Sequence, residues 1–214
     1  MTRRDAPFSV IRRLPVYLRN LDNLIKKDVE IISSRTLSIQ TGFTAEQIRK
    51  DLAYFGAFGT RGTGYNTVYL REKLLKIIGL DKETNVIVVG SGHLGKAFGR
   101  YNITKNPYIC VVGMFDKDPE VIGEKVEDLT IQHMDKMDEV IKEHNVKVAI
   151  LTVPGDQAQA VVDAIVKLGI TAILNFAPTK LNVPLDVHVH NTDLTIELQS
   201  LIYYCSTEEE GGFM

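Results

Sequence analysis

The sequence predicts an α/β protein in two parts, a winged helix-turn-helix domain followed by a doubly wound parallel sheet and a final helix. Three observations carry that expectation. Residues 34–55 read as helix, tight glycine turn, helix, and a glycine-rich hairpin segment follows. From Asn85 onward, short β-branched runs alternate with amphipathic helical stretches, the pattern of a parallel sheet with crossover helices. The first of those runs leads into Gly90-Ser91-Gly92-His93-Leu94-Gly95, and the second ends at Asp116.

The bulk composition fits this division. A length of 214 residues with 44% hydrophobic content suits two cores. No apolar run reaches the roughly 18 residues a spanning helix needs, and the start, Met1-Thr2-Arg3-Arg4-Asp5, has no apolar stretch of a secretion signal. A cytoplasmic protein with no membrane partner is expected. Cys110 and Cys205 form no metal pattern and read as reduced core or near-core thiols. The net charge of −2 hides an asymmetry: residues 1–80 hold 14 Lys+Arg against 7 Asp+Glu, leaving 11 against 20 for the rest. A basic first domain on an acidic remainder points to a polyanion partner for the first domain alone. A merely solvated basic face would look the same by charge.

The elements follow in order. Residues 1–8 read as a short arm. Ser9 can cap a helix running to about Lys27, with the apolar stripe Ile11, Leu14, Leu18, Leu21 and Ile25, and with Pro15 near its first turns. A second helix spans Ser34 to about Gln40, and Thr41-Gly42-Phe43 forms a turn. Thr44-Ala45-Glu46-Gln47 is a capping box that opens a third helix to Phe55. Ile48, Leu52 and Phe55 share its core face. Arg49, Lys50, Ala53 and Tyr54 lie on other sides and could face DNA; Gln47, Arg49, Lys50 and Tyr54 are candidate DNA contacts, since the second helix of such a pair enters the major groove. Four glycines between 56 and 64 favour a tight hairpin whose tip carries Arg61, flanked by Gly62 and Tyr65. Such a wing lies on a phosphate or in the minor groove. Thr67-Val68-Tyr69-Leu70 comes next, then a fourth helix over Arg71–Ile78, and the linker 80–84 closes a domain of residues 1–80.

The second domain is read as residues 85–191. Val86–Val89 is a continuous β-branched run, the mark of a strand buried on both faces. Helix 93–103, strand 108–115, helix 135–144, strand 147–152, helix 156–168 and strand 170–175 are expected after it. His188-Val189-His190 alternates along a further possible strand. A last helix over residues 192–206 carries Leu194, Leu198, Leu201, Ile202 and Cys205 on one face, and residues 207–214 read as a flexible acidic tail.

A lone GxGxxG is a weak signal, but here it follows a strand, opens a helix and is completed by an acid at the end of the next strand, which is the Rossmann-type dinucleotide fingerprint. Gly90 permits the tight turn, Gly92 lets a diphosphate approach the backbone, and Gly95 lets helix and strand pack closely. Asp116 would accept hydrogen bonds from ribose hydroxyls and repel a 2′-phosphate, so the cofactors expected are NADH and NAD+ rather than their phosphorylated relatives; Lys117 beside it weakens that preference slightly. His93 and Leu94 belong to the same turn, with His93 read as pointing outward rather than as a base. Thr152-Val153-Pro154 and Asn175-Phe176-Ala177-Pro178 end later strands and could border a nicotinamide ring. Both loops are poor in titratable groups, with only Asp156 close by, and His133, His144, His188 and His190 are scattered, so neither a catalytic acid/base nor a metal site is expected.

The stretches Tyr17-Leu18-Arg19, Gln47-Ile48-Arg49-Lys50-Asp51-Leu52-Ala53-Tyr54-Phe55-Gly56, Gly59-Thr60-Arg61-Gly62-Thr63-Gly64-Tyr65, the glycine fingerprint, Leu151-Thr152-Val153-Pro154 and Ile173-Leu174-Asn175-Phe176-Ala177-Pro178 resemble, over nearly the full length, the bacterial Rex family of redox-sensing transcriptional repressors. The resemblance implies a homodimer of winged-helix and Rossmann domains whose C-terminal helix is swapped into the partner. It implies binding to palindromic operators in double-stranded DNA of respiratory and fermentative genes when NADH is low, and release when NADH binds. By position it assigns a polar switch to Arg19, Tyr101 and Asp193. The acidic tail is outside the family pattern. The competing expectation is an NAD-dependent oxidoreductase with an accessory DNA-binding-like domain; the missing acid/base and the absence of a substrate domain after residue 190 count against it. A third, a nucleotide-binding scaffold, leaves Arg49, Lys50 and Arg61 unexplained.

Overall fold

The computed structural model describes residues 6–60 and 62–210, the last five by their backbone alone. The wing residue Arg61, the arm residues 1–5 and the tail residues 211–214 lie outside the described residues. The chain divides into two compact units, Met1–Lys82 and Glu83–Met214.

In the first unit α1 (Phe8–Ile25) starts one residue before the expected cap. Pro7 precedes it, with its carbonyl accepting from Val10 and Ile11, and Ser9 is inside the helix. Pro15 is not in the first turn but eight residues in; it cannot donate to the Ile11 carbonyl, and it is tolerated on the exposed side. The opposite side buries Leu14, Tyr17, Leu18 and Leu21. After β1 (Ile31–Ile32), which the sequence did not reveal, α2 (Ser34–Thr41) is capped by Ser33 and stopped by Gly42 at φ 75°. Then α3 (Ala45–Ala53) starts at Thr44, whose hydroxyl accepts from Gln47 N–H at 3.1 Å. It ends two residues earlier than expected, and Phe55 is half-buried beyond it. The wing pairs β2 (Gly59–Thr60) with β3 (Gly64–Asn66), and β1 adds to the other side of β3. Residues 67–70 do not extend the wing: Asn66 accepts from Tyr69 N–H, and α4 (Thr67–Ile78) begins there, burying Leu70 and Leu74 one turn apart.

Among the described residues the second unit is built on a seven-stranded sheet. Its strands are β4 (Thr84–Val89), β5 (Ile109–Asp116), β6 (Lys125–Val126), β7 (Leu129–His133), β8 (Val148–Leu151), β9 (Ala172–Asn175) and β10 (His188–Asn191). The spatial order is β10-β9-β8-β4-β5-β7-β6, and every pairing is parallel except β6 with β7. Between strands run α5 (His93–Lys105), α6 (Met137–Glu143) and α7 (Gly155–Lys167). Alternate residues of β4 serve two cores: Val86 and Val88 pack with Met114, Ile131 and Phe98, whereas Ile87 and Val89 pack with Phe115, Val140 and Val162. Each such side chain contributes about 1.5–3 kcal/mol by leaving water. Because β5 lies on one side of β4 and β8 on the other, the chain reverses direction across the sheet at the C-terminal end of β4, where open α/β sheets bind ligands.

The final helix, α8 (Leu194–Glu210), corrects the expectation of a flexible tail from Thr207, since the helix runs through Glu210. Glutamates propagate a helix, and no breaker appears before Gly211. Cys205 on this helix is exposed rather than near a core, and Cys110 is half-buried in β5 with its thiol pushed up, first by burial and then by Glu83.

Candidate nucleotide cleft and nucleic-acid interface

The turn after β4 is fixed by backbone geometry. Gly90 has φ 91°, a conformation that side chains resist, and a Cβ there would also meet the Thr152 backbone at 2.7 Å. A Cβ at Gly95 would lie 2.0 Å from the Gly90 carbonyl, so only glycine lets the start of α5 sit on this turn. A Cβ at Gly92, by contrast, would meet nothing within 4 Å. That position is open toward the cleft, and among the described residues no side chain caps the N-terminus of α5. The exposed N–H groups and the helix dipole suit a diphosphate, so the residues present fit a dinucleotide.

Asp116 closes the other side. One carboxylate oxygen accepts from Ser91 N–H at 2.5 Å, and the other from Lys117 and Asp118 N–H at 2.7 and 3.0 Å. It is therefore a clamp on the glycine turn as well as a wall of the cleft. Thr152 holds the turn from β8, its hydroxyl donating to the Gly90 carbonyl at 2.5 Å. The resulting cleft, about 510 Å³, brings together the expected Gly90, Gly92, Asp116, Lys117, Thr152, Val153 and Pro154. Asp118, Met134, Gln157 and Val161 also line it and were missed by the sequence reading. Gln157 and Val161 follow Pro154 at helical spacing, the one signal that could have found them.

The remaining expected residues stand apart from this lining. Gly95 is buried beneath the turn, while His93 and Leu94 are exposed at the start of α5. Asn175 and Ala177 are buried, Phe176 packs on Phe98 at 5.3 Å between ring centroids, and Pro178 is exposed. The described residues contain no cluster of three metal-ligating side chains.

In the first unit a second cleft, about 680 Å³, runs between α3 and the wing, lined in part by Ser34, Arg49, Thr60, Gly62 and Tyr65. Arg49 is exposed and donates to Ser34 Oγ at 2.9 Å, which aims it across this cleft. Lys50 is exposed and pairs with Glu46 one turn earlier at 2.7 Å; this pair lowers the Glu46 carboxyl below its ordinary value. Such a surface pair is weak and exchanges readily for a phosphate. Gln47 is half-buried, Tyr54 is exposed, and burial pushes the half-buried Tyr65 phenol upward. Of the expected contacts, the structure therefore brings Arg49, Gly62 and Tyr65 to one cleft and leaves Lys50 and Tyr54 exposed beside it.

Behind this face is a buried polar group that the sequence reading did not single out. Asp51, 3% exposed on the core side of α3, accepts from Arg13 Nε and Nη2 at 2.6 and 2.7 Å and from the Tyr17 hydroxyl at 2.6 Å. It couples α3 to α1. The Asp51 hydrogen bond raises the Arg13 pKa, and burial followed by Asp51 raises that of Tyr17.

The proposed switch residues occupy separate elements. Arg19 is exposed on α1 of the first unit. In the second unit, Tyr101 is exposed on α5, and Asp193 caps α8 by accepting from Thr195 and Ile196 N–H at 2.9 and 3.2 Å.

A winged-helix unit and a Rossmann-type unit in one chain define a class of two-domain proteins that pair a nucleic-acid face with a dinucleotide cleft. Family models bear on each part: one described as a putative DNA-binding protein N-terminus matches residues 6–53, and one described as a CoA binding domain matches residues 81–179. The redox-sensing transcriptional repressor Rex of Natranaerobius thermophilus is 61% identical over 206 residues, covering 96% of this chain and 94% of the relative. That of Carboxydothermus hydrogenoformans is 45% identical, covering 92% and 95%. Among solved structures, RSP in complex with beta-NAD+ and operator DNA is 40% identical with a TM-score of 0.88, covering 98% of this chain and 99% of that one. RSP in complex with beta-NADH is 40% identical with a TM-score of 0.84, covering 96% of each chain. The chain belongs to the Rex family of redox-sensing transcriptional repressors.

Proposed function

We propose that this chain is a cytoplasmic, homodimeric repressor that binds a palindromic operator when NADH is scarce and leaves it when NADH occupies the cleft of the second unit. One observation carries the reading: the same chain holds an open glycine turn suited to a diphosphate and, in its other unit, a helix that exposes Arg49 and Lys50 beside a wing. The two RSP complexes, with operator DNA and with beta-NADH, support both ligands. Sensing rather than turnover is supported by the cleft lining. Among the described residues its titratable groups are Asp116, Lys117 and Asp118, consecutive from the end of β5, with none on the Thr152–Pro154 side. A second copy of the chain as the cover of α8 is supported by the exposure of Leu194, Leu198, Leu201 and Ile202. Selection of bound duplexes from a random pool, with and without NADH, tests the whole reading: it expects a palindrome recovered without NADH and lost with it.

Two substitutions test the parts. Arg49→Ala with Lys50→Ala is expected to abolish operator-specific binding, each lost bidentate base contact costing about 1–3 kcal/mol and each lost phosphate contact flattening the salt slope by about one unit. Unchanged operator affinity in a salt-series titration removes α3 from the recognition role. Asp116→Ala is expected to weaken NADH binding and narrow its advantage over NADPH, both because a ribose acceptor is lost and because Ser91 loses its clamp. Calorimetry finding tighter NADPH than NADH binding in the unmodified protein refutes the cofactor assignment.

A further inference from the structure

Asn175 ends β9 and is fully buried, with its side chain spent on two different segments. The two N–H groups of its amide are shared among three acceptors, the carbonyls of Ala177 and Thr179, each at 3.2 Å, and Asn191 Oδ1 at 2.9 Å. Its Oδ1 accepts from Ala177 N–H at 2.9 Å. Its main-chain carbonyl accepts from Thr192 N–H at 2.8 Å. One residue thus shapes the loop 175–179 and grips the end of β10.

Both ends of this connection lead somewhere. The loop touches the nucleotide elements on two sides: Phe176 packs on Phe98 of α5, and a Cβ at Gly155 would stand 3.7 Å from Thr179 and 3.8 Å from Pro178, directly after the cleft wall at Pro154. On the other side, Asn191 is the last paired residue of β10, in register with Asn175. Two residues later Asp193 caps α8. No glycine lies between Asn191 and Asp193 to absorb a displacement.

We propose that the Asn175–Asn191 pair is the coupling element that carries occupancy of the nucleotide cleft to the first turn of α8, and that Asn191 positions this turn without touching either ligand. The inference rests on the repressor reading above. A shift of the loop 175–179 redirects the Asn175 amide, which draws Asn191 and Thr192 with it and re-aims the Asp193 cap. Coupling of this kind changes the effect of one ligand on the other while leaving each binding alone nearly unchanged.

The test uses the full chain with Asn191→Ala, which removes the acceptor, and Asn191→Asp, which keeps an oxygen facing the Asn175 amide. Three quantities are read: NADH affinity without DNA, affinity without nucleotide for the duplex selected by the unmodified protein, and the ratio of that duplex affinity without and with saturating NADH. Asn191→Ala is expected to keep the first two within threefold and to shrink the ratio at least tenfold, and Asn191→Asp to restore it. Hydrogen exchange at Thr195–Glu197 gives a readout independent of DNA: NADH alters it in the unmodified protein and not in Asn191→Ala. An unchanged ratio, an unchanged exchange response, or loss of either binding alone in Asn191→Ala overturns the proposal, the last marking the pair as a simple strut. A ratio near one in the unmodified protein instead overturns the repressor reading, and the exchange response then decides the coupling by itself.

Discussion

Gly95→Ala is expected to lower NADH affinity at least a hundredfold while leaving operator binding without nucleotide in place. The added Cβ would stand 2.0 Å from the Gly90 carbonyl oxygen and 2.8 Å from Thr152 Oγ1. Neither neighbour can step aside. The carbonyl belongs to a turn held at φ 91° and accepts the Thr152 hydroxyl, and Thr152 N–H itself donates to the Val89 carbonyl. The start of α5 must therefore back away from the turn by about an ångström, which overpacking data put at about 1–3 kcal/mol in stability. Binding suffers more than stability, because the N–H groups that face a diphosphate ride on the part that moves. A hundredfold loss corresponds to about 2.7 kcal/mol. The first unit has its own core, around Leu14, Leu37, Ile48 and Leu74, and does not depend on this turn. Calorimetry for NADH beside fluorescence anisotropy for the operator checks both halves. An alanine variant that binds NADH as tightly as the unmodified protein removes the Gly90–Gly95 turn from the nucleotide site.

How much of this was legible in the sequence depended on the range of the interaction responsible. The β4 run was legible because burial on both faces makes every residue apolar, and the glycine fingerprint because its geometry is local. The start of α4 was missed because Thr67-Val68-Tyr69 has the composition of a strand; the Asn66 cap, the burial of Leu70 and the packing of α4 on α1 decide otherwise. Both β1 and β6 are two residues long, too short for any period, and exist only because β3 and β7 pair with them. In β7, Leu129 and Ile131 alternate with polar residues, but so brief an alternation does not stand out from a loop. The cleft shows the same division. Residues on the glycine turn and at strand ends were found, whereas Met134 enters only because β7, which it follows, is the neighbour of β5 in the sheet. Asp51 did leave a signal, since it falls between Ile48 and Leu52 on the buried side of α3; its partners lie 34 and 38 residues away.

That buried aspartate supports the second large effect: Asp51→Ala is expected to destabilise the first unit by about 3–5 kcal/mol and to lose operator binding with it. Removing the carboxylate leaves the Arg13 guanidinium, 15% exposed, and the fully buried Tyr17 hydroxyl facing each other without an acceptor. Breaking a buried charge pair from one side costs about 3–5 kcal/mol, because the surviving charge remains desolvated. Set against a typical domain stability of about 5–15 kcal/mol, the loss is large, and at about 4–8 °C per kcal/mol for a unit of this size it lowers the melting point by more than about 10 °C. Tyr17→Phe removes one neutral donor and leaves Arg13 paired, so it is expected to cost only about 1 kcal/mol. Tyr17→Phe also changes the pH dependence. The Tyr17 pKa is raised in the folded protein, so its contribution is complete below the ordinary tyrosine value of about 10 and fades as pH rises beyond it toward the folded value. Unmodified protein should therefore lose stability above about pH 10 more steeply than Tyr17→Phe does. The position of α3 depends on the same three side chains, which join it to α1 across the core, so operator affinity should fall in Asp51→Ala even at temperatures where the unit stays folded. Thermal melts and operator titrations from pH 7 to 11 decide the matter. A melting point for Asp51→Ala equal to that of the unmodified chain would show that Arg13 and Tyr17 find water instead, and that α3 is held by Ile48 and Leu52 alone.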